Sequence, residues 1–78
     1  MARFDELVAE LRRNYESAER SEVVTQIHLF GIKNSDDLDG HSINDIAEAA
    51  TGHRSYGTEI RKGMRLSKFV EIKQGAQP

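Results

Sequence analysis

Six basic residues crowd the last third of the chain: Arg54, Arg61, Lys62, Arg65, Lys68 and Lys73, against only Glu59 and Glu71. Guanidinium and ammonium groups at that density suit one kind of chemistry, charge-assisted hydrogen bonding to anionic oxygens, phosphates above all. Residues 53–78 carry a balance of +4, whereas residues 1–52 carry eleven acids against five bases, a balance of −6. The formal net charge of −2 hides this split, which predicts a basic face on an acidic whole.

Other chemistries find less support. His28, His41 and His53 are scattered and do not have metal-ligand spacing, although His41 and His53 flank a predicted helix. The acidic run Asn34-Ser35-Asp36-Asp37-Leu38-Asp39-Gly40 lacks the alternating ligands and final Glu of a calcium loop. With no cysteine there is no disulfide, no thiolate zinc site and no thiol nucleophile, which fits a reducing compartment and predicts a cytoplasmic protein. No Ser/His/Asp order, phosphate-binding glycine loop or isolated carboxylate pair points to a reaction. The expectation is a binding protein with no catalytic residue, metal or cofactor. No apolar run approaches the roughly 20 residues of a membrane span, and the charged N-terminus does not resemble a signal peptide.

The elements that must position the basic residues read as helices. Phe4, Leu7, Val8, Leu11 and Tyr15 make one apolar stripe over residues 3–16, with Asp5 and Glu6 in the first turn and Arg12 and Arg13 near the end. That stripe predicts core packing, or a dimer interface through Phe4, Leu7 and Leu11 if part of it stays exposed. A second helix is predicted over 21–30, with Ser21 as N-cap and Gly31 as its stop. His28, between Ile27 and Leu29, reads as a packed, hydrogen-bonded residue. The acidic run reads as a loop with one short helical turn beginning at Ser35.

A third helix opens with Ser42-Ile43-Asn44-Asp45, an N-cap with an acid at the third helical position (a variant of the capping box), carries Ile43, Ile46, Ala47 and Ala50 inward, and ends at Thr51-Gly52. A fourth is predicted from Ser55 to about Leu66, with Tyr56, Ile60 and Met64 inward and Thr58, Glu59, Arg61, Lys62 and Arg65 outward. Gly57 and Gly63 are unfavourable inside a helix, by about 1 kcal/mol each relative to Ala. They mark a close approach of backbone to a packed neighbour or to a ligand. Lys68–Lys73 alternates and is rich in β-formers, predicting a short strand or extended arm. The aromatic residues Phe4, Tyr15, Phe30, Tyr56 and Phe69 are expected to be the large core pieces. Residues 1–78 read as one domain with loose ends at 1–2 and 74–78.

The fold class that results is mainly α: four helices arranged as a helix-turn-helix-like domain, with a C-terminal strand or wing-like arm. A short helix, a glycine-containing turn, a second helix and a basic arm follow one another from Ser42 to Lys73. In that arrangement the first helix braces the second, whose outer face enters the major groove while flanking bases hold phosphates. Arg54 and Ser55, at the start of the second helix, would meet phosphate or base edges. The chain also resembles a family of small bacterial helix-turn-helix-like domains. The resemblance is carried by Ile27-His28-Leu29-Phe30-Gly31-Ile32, Ser42-Ile43-Asn44-Asp45-Ile46 and above all Ser55-Tyr56-Gly57-Thr58-Glu59-Ile60-Arg61-Lys62-Gly63-Met64. It spans about residues 20–73 and implies that fold and a DNA-binding role.

Against the general helix-turn-helix pattern, Gly52 comes one residue late, and His53 stands where a hydrophobic residue is customary. Gly57 or Thr58 occupies a usually aliphatic position. These departures predict either a lengthened turn or a degenerate motif, and they leave the exact groove-facing residues open. The predicted partner is duplex DNA, and the predicted contacts are Arg54, Ser55, Thr58, Arg61, Lys62, Arg65, Lys68 and Lys73. A homodimer or protein partner would come through the N-terminal helix. The competing expectation is a protein-interaction module that docks a basic partner on Glu10, Glu16, Asp36 and Asp37. Glu59 in a groove-facing helix would repel phosphate unless it reads a cytosine.

Overall fold

A computed structural model describes residues 3–73, and the loose ends expected at 1–2 and 74–78 lie outside them. The described chain is helical: α1 (Arg3–Ser17), α2 (Val23–Lys33), a single-turn α3 (Ser35–Leu38), α4 (Ile43–Thr51) and α5 (Gly57–Leu66). Two 3₁₀ turns, Arg20–Glu22 and Arg54–Tyr56, lead into α2 and α5. The apolar stripe of α1 buries Leu7, Val8 and Leu11 between α2 and α4. Ile27 and Phe30 of α2, Leu38 of α3, Ile46 of α4 and Ile60 of α5 complete a shared core. Leu7 and Leu11 are fully buried inside the chain, so of the three residues expected at a dimer face only the partly buried Phe4 keeps exposed surface.

Each terminus has its own physical reason. α4 stops at Gly52, whose φ of 84° is left-handed and so favours a residue without Cβ. The Gly52 N–H then donates to the Glu48 carbonyl at 2.9 Å, satisfying one of the orphan carbonyls of the last turn. Arg12 satisfies another by donating to the Ala49 carbonyl at 2.7 Å, which ties α1 to the end of α4. The Ser42 hydroxyl makes no capping bond to the backbone of α4, so the expected capping box does not form. Ser21 is likewise no N-cap: it lies inside the 3₁₀ turn that precedes α2.

Gly31 does not stop α2. The helix runs through it to Lys33 and ends at the buried Asn34, whose side-chain amide donates to Glu10 at 3.1 Å and to the Phe30 carbonyl at 3.2 Å. Gly31 instead faces Gly63 of α5. A Cβ on Gly31 would meet the Ile60 carbonyl oxygen, and one on Gly63 would meet the His28 carbonyl oxygen. Either Cβ would also lie 3.0 Å from the Cα of the opposite glycine. The two helices cross with backbone against backbone, so the packed neighbour, rather than a ligand, accounts for Gly63. Gly57 answers to another neighbour, the side chain of Asn44 on α4.

The C-terminal arm is not a strand. A strand needs a partner for its N–H and C=O groups, and among the described residues there is no second one. The amides of Ser67, Lys68, Phe69 and Val70 bond back to Gly63, Arg65 and Leu66, so the chain winds on past α5 and then continues irregularly to Lys73. Phe69 consequently points away from the core and is 79% exposed, contrary to its expected role as a core residue.

Candidate nucleic-acid interface

α4, the turn at 52–56 and α5 form the helix, turn and second helix that the sequence predicts, with the turn lengthened. The α-helix begins at Gly57, and residues 54–56, including the expected start at Ser55, wind as a 3₁₀ turn. Tyr56 fixes this turn, its ring lying edge-on to Tyr15 of α1 and to His53, with centroids 5.9 Å away in both cases. Gly57, Ile60 and Gly63 form the buried edge of α5, with Met64 half-buried beside them. At about 100° per residue, Thr58, Arg61, Lys62 and Arg65 fall within a sector of about 100° on the opposite side. All four are exposed.

The eight predicted contacts are not equivalent. Arg61, Arg65 and Lys68 are exposed and have no carboxylate within ion-pair distance among the described residues. Lys62 makes a loose pair with Glu59 at 3.6 Å, one turn back on the same helix. Ser55 and Thr58 are exposed at the start of α5, and Lys73 stands apart from the helix in the irregular tail. Arg54 is already engaged: its guanidinium donates to Asp45 at 2.6 Å and to Glu48 at 2.9 Å, both on α4. Chiefly through the Asp45 bond, the Arg54 guanidinium is held more firmly protonated than usual, and it keeps the Asp45 carboxyl below the ordinary carboxylate range. Arg54 therefore serves as a brace between α4 and the turn.

Glu59 does not face outward with the cations. Its carboxylate is turned toward α2, where His28 donates from Nε2 to Oε1 at 2.6 Å, and its side chain is only 24% exposed. The His28 bond holds the Glu59 carboxyl below its ordinary range, with Lys62 adding to the effect and partial burial opposing it. The pair withdraws the only acid of α5 from the basic face. The sequence carried one signal of it, an acid among cations on a helix otherwise fit for an anion, with His28 predicted to be hydrogen-bonded. Their partnership becomes visible only when α2 crosses α5.

The acids proposed for a competing docking face are partly occupied. Glu10 bonds Asn34 and pairs with Lys33 at 3.2 Å, and Asp37 pairs with Arg3 at 2.6 Å. Asp36 and Asp39 line a shallow depression with Arg65 and Lys68 at the far end of the basic stripe. No group of three or more side chains able to hold a metal comes together among the described residues, and none of their helices is long and apolar enough to cross a membrane.

A helical bundle in which a braced second helix presents a stripe of cations defines the chain as helix-turn-helix-like, a fold of DNA-binding type. A sequence model of the HTH-like domain matches residues 3–73, and the chain belongs to that family. The match takes in α1, which the resemblance read from the sequence left largely uncovered. No curated protein and no solved structure matches the chain.

Proposed function

We propose that the protein binds duplex DNA through the outer face of α5, with Arg61, Arg65 and Lys68 as the principal phosphate contacts. The observation that carries the reading is the separation of charge on α5: Arg61 and Arg65 without internal partners on one face beside the loosely paired Lys62, and the helix's acid tied back by His28. Lys62, Thr58 and Ser55 extend the contact toward the start of the helix, and Lys73 adds charge from the tail. Arg54 contributes indirectly, by offsetting half of the charge of Asp45 and Glu48 on α4. The net charge of −2 predicts that binding depends on this local face, and hence on ionic strength.

The test is a fluorescence-anisotropy titration with mixed-sequence duplex DNA at several salt concentrations, with an acidic polypeptide as control. Removing one phosphate-binding cation lowers the slope of log affinity against log salt by about 0.9. Arg61→Ala and Arg65→Ala each weaken binding and flatten that slope, and the double variant flattens it about twice as far. Unchanged affinity in both single variants removes α5 as the binding face. A wild-type chain that prefers the acidic control over DNA removes the reading altogether.

A further inference from the structure

Phe69 is 79% exposed, and Leu66 and Val70, at 42% and 46%, stand beside it. The Phe69 and Val70 amides both donate to the Leu66 carbonyl, at 2.8 and 3.0 Å, so the chain keeps winding beyond the last residue of α5. That winding carries Phe69 to the C-terminal end of the basic stripe, one turn past Arg65 and next to Lys68. From Thr58 to Phe69, at about 1.5 Å per residue, the stripe extends for about 16 Å. Its last member is a phenyl ring that nothing in the described chain covers.

Charge decides which surface can cover the ring. Arg61, Arg65 and Lys68 share this face and have no carboxylate partner among the described residues, so the covering surface must be anionic as well as locally apolar. Duplex DNA combines these properties: phosphates line the major groove, and within the groove the thymine C5-methyl is the apolar group on the base edges. We infer that Phe69 is a base-contacting residue, packing its ring on thymine methyl groups while Arg61, Arg65 and Lys68 hold phosphates. The inference rests on the DNA-binding reading and adds to it a preference for sites containing thymine.

Two duplexes of one mixed sequence, the second with every thymine replaced by uracil, isolate the methyl group. Wild-type protein binds the thymine duplex about fourfold more tightly, as the burial of one methyl group requires. Phe69→Ala binds both duplexes alike and keeps the wild-type salt slope, because every phosphate-binding cation is still in place. Circular dichroism verifies that this exposed substitution leaves the helices intact. Equal wild-type affinity for the two duplexes overturns the role of Phe69 while leaving DNA binding in place. A thymine preference that survives Phe69→Ala also overturns it, since another group then reads the methyl. Absence of wild-type binding to either duplex overturns both this inference and the reading beneath it.

Discussion

Replacing Gly63 by alanine sets two effects of opposite sign against each other. In an open helix the change stabilises by about 1 kcal/mol, because alanine has much the better helix propensity. Here the new methyl group meets the His28 carbonyl oxygen and lies 3.0 Å from the Cα of Gly31. Both obstacles are backbone, so no side chain can swing aside; α2 and α5 must move apart or bend. Overpacking of this kind costs about 1–3 kcal/mol, and rigid obstacles on the opposite helix put the effect at the upper end. Subtracting the propensity gain leaves a net destabilisation of about 2 kcal/mol. For a domain of this size that lowers Tm by about 8–16 °C. Urea unfolding followed by circular dichroism measures it directly, with an unchanged m-value showing that the comparison is sound. Gly31→Ala has the same effect, and the double variant falls short of the sum because the helices are already apart. A Gly63→Ala protein as stable as wild type, or more so, would refute the close crossing.

Arg54→Ala separates a brace from a contact: it produces a much smaller change in the salt slope of DNA binding than Arg61→Ala, measured by the same anisotropy titration. A slope change as large as that of Arg61→Ala would return Arg54 to the phosphate contacts. The Glu59 carboxyl is held below its ordinary range in the folded chain, so the unfolded chain takes up its proton first as pH falls. Its contribution to stability is therefore complete above about pH 4.3, the ordinary glutamate value, and is lost as pH falls through the lower folded value. Glu59→Gln removes that part of the acid sensitivity, as pH-dependent urea midpoints will show; an unaltered profile would mean that the His28 bond has no such effect. Asp36 and Asp39 oppose phosphate at the end of the stripe, and a charge about 8 Å away in water is worth about 0.5 kcal/mol. Asp36→Asn and Asp39→Asn should each tighten DNA binding about twofold at low salt, an effect that anisotropy resolves and that salt should abolish.

The helices were legible where periodicity and composition agreed. Phe4, Leu7, Val8 and Leu11 recur at helical spacing, and the structure buries three of the four fully or nearly so. Gly52 ends α4 as read, because a left-handed residue after an apolar run is a local signal. Gly31 misled for a related reason. A glycine after Phe30 has the same local appearance whether it ends a helix or lets another helix approach, and only Gly63, 32 residues later, decides between them. The alternation of Lys68–Lys73 misled because β-propensity describes a fit to a neighbouring strand. Without that neighbour, the amides turned back to the last carbonyls of α5. The basic stripe was legible as a set of residues, but which cations were free was not. Arg54 is separated by six residues from Glu48 and by nine from Asp45, and the turn geometry alone brings them together.

The two edges of α5 depend on each other. Ten residues make a short helix, and by itself such a length is marginal in water. Its buried edge carries little apolar surface, since two of the three fully buried positions are glycines. What Gly63 contributes is proximity: it faces Gly31 with no side chains between the backbones, so α2 comes near enough for an imidazole to reach the carboxylate of Glu59 at 2.6 Å. A larger residue at Gly31 or Gly63 would separate the helices by more than that bond can stretch. Glu59 would then be released from His28 toward the cations of the outer face, of which it now meets only Lys62, loosely. The same crossing that holds α5 in the bundle therefore keeps the one acid of the helix tied to α2 and leaves the charge of its outer face undiminished. That is why glycine, the poorest helix former after proline, occupies both sides of the crossing.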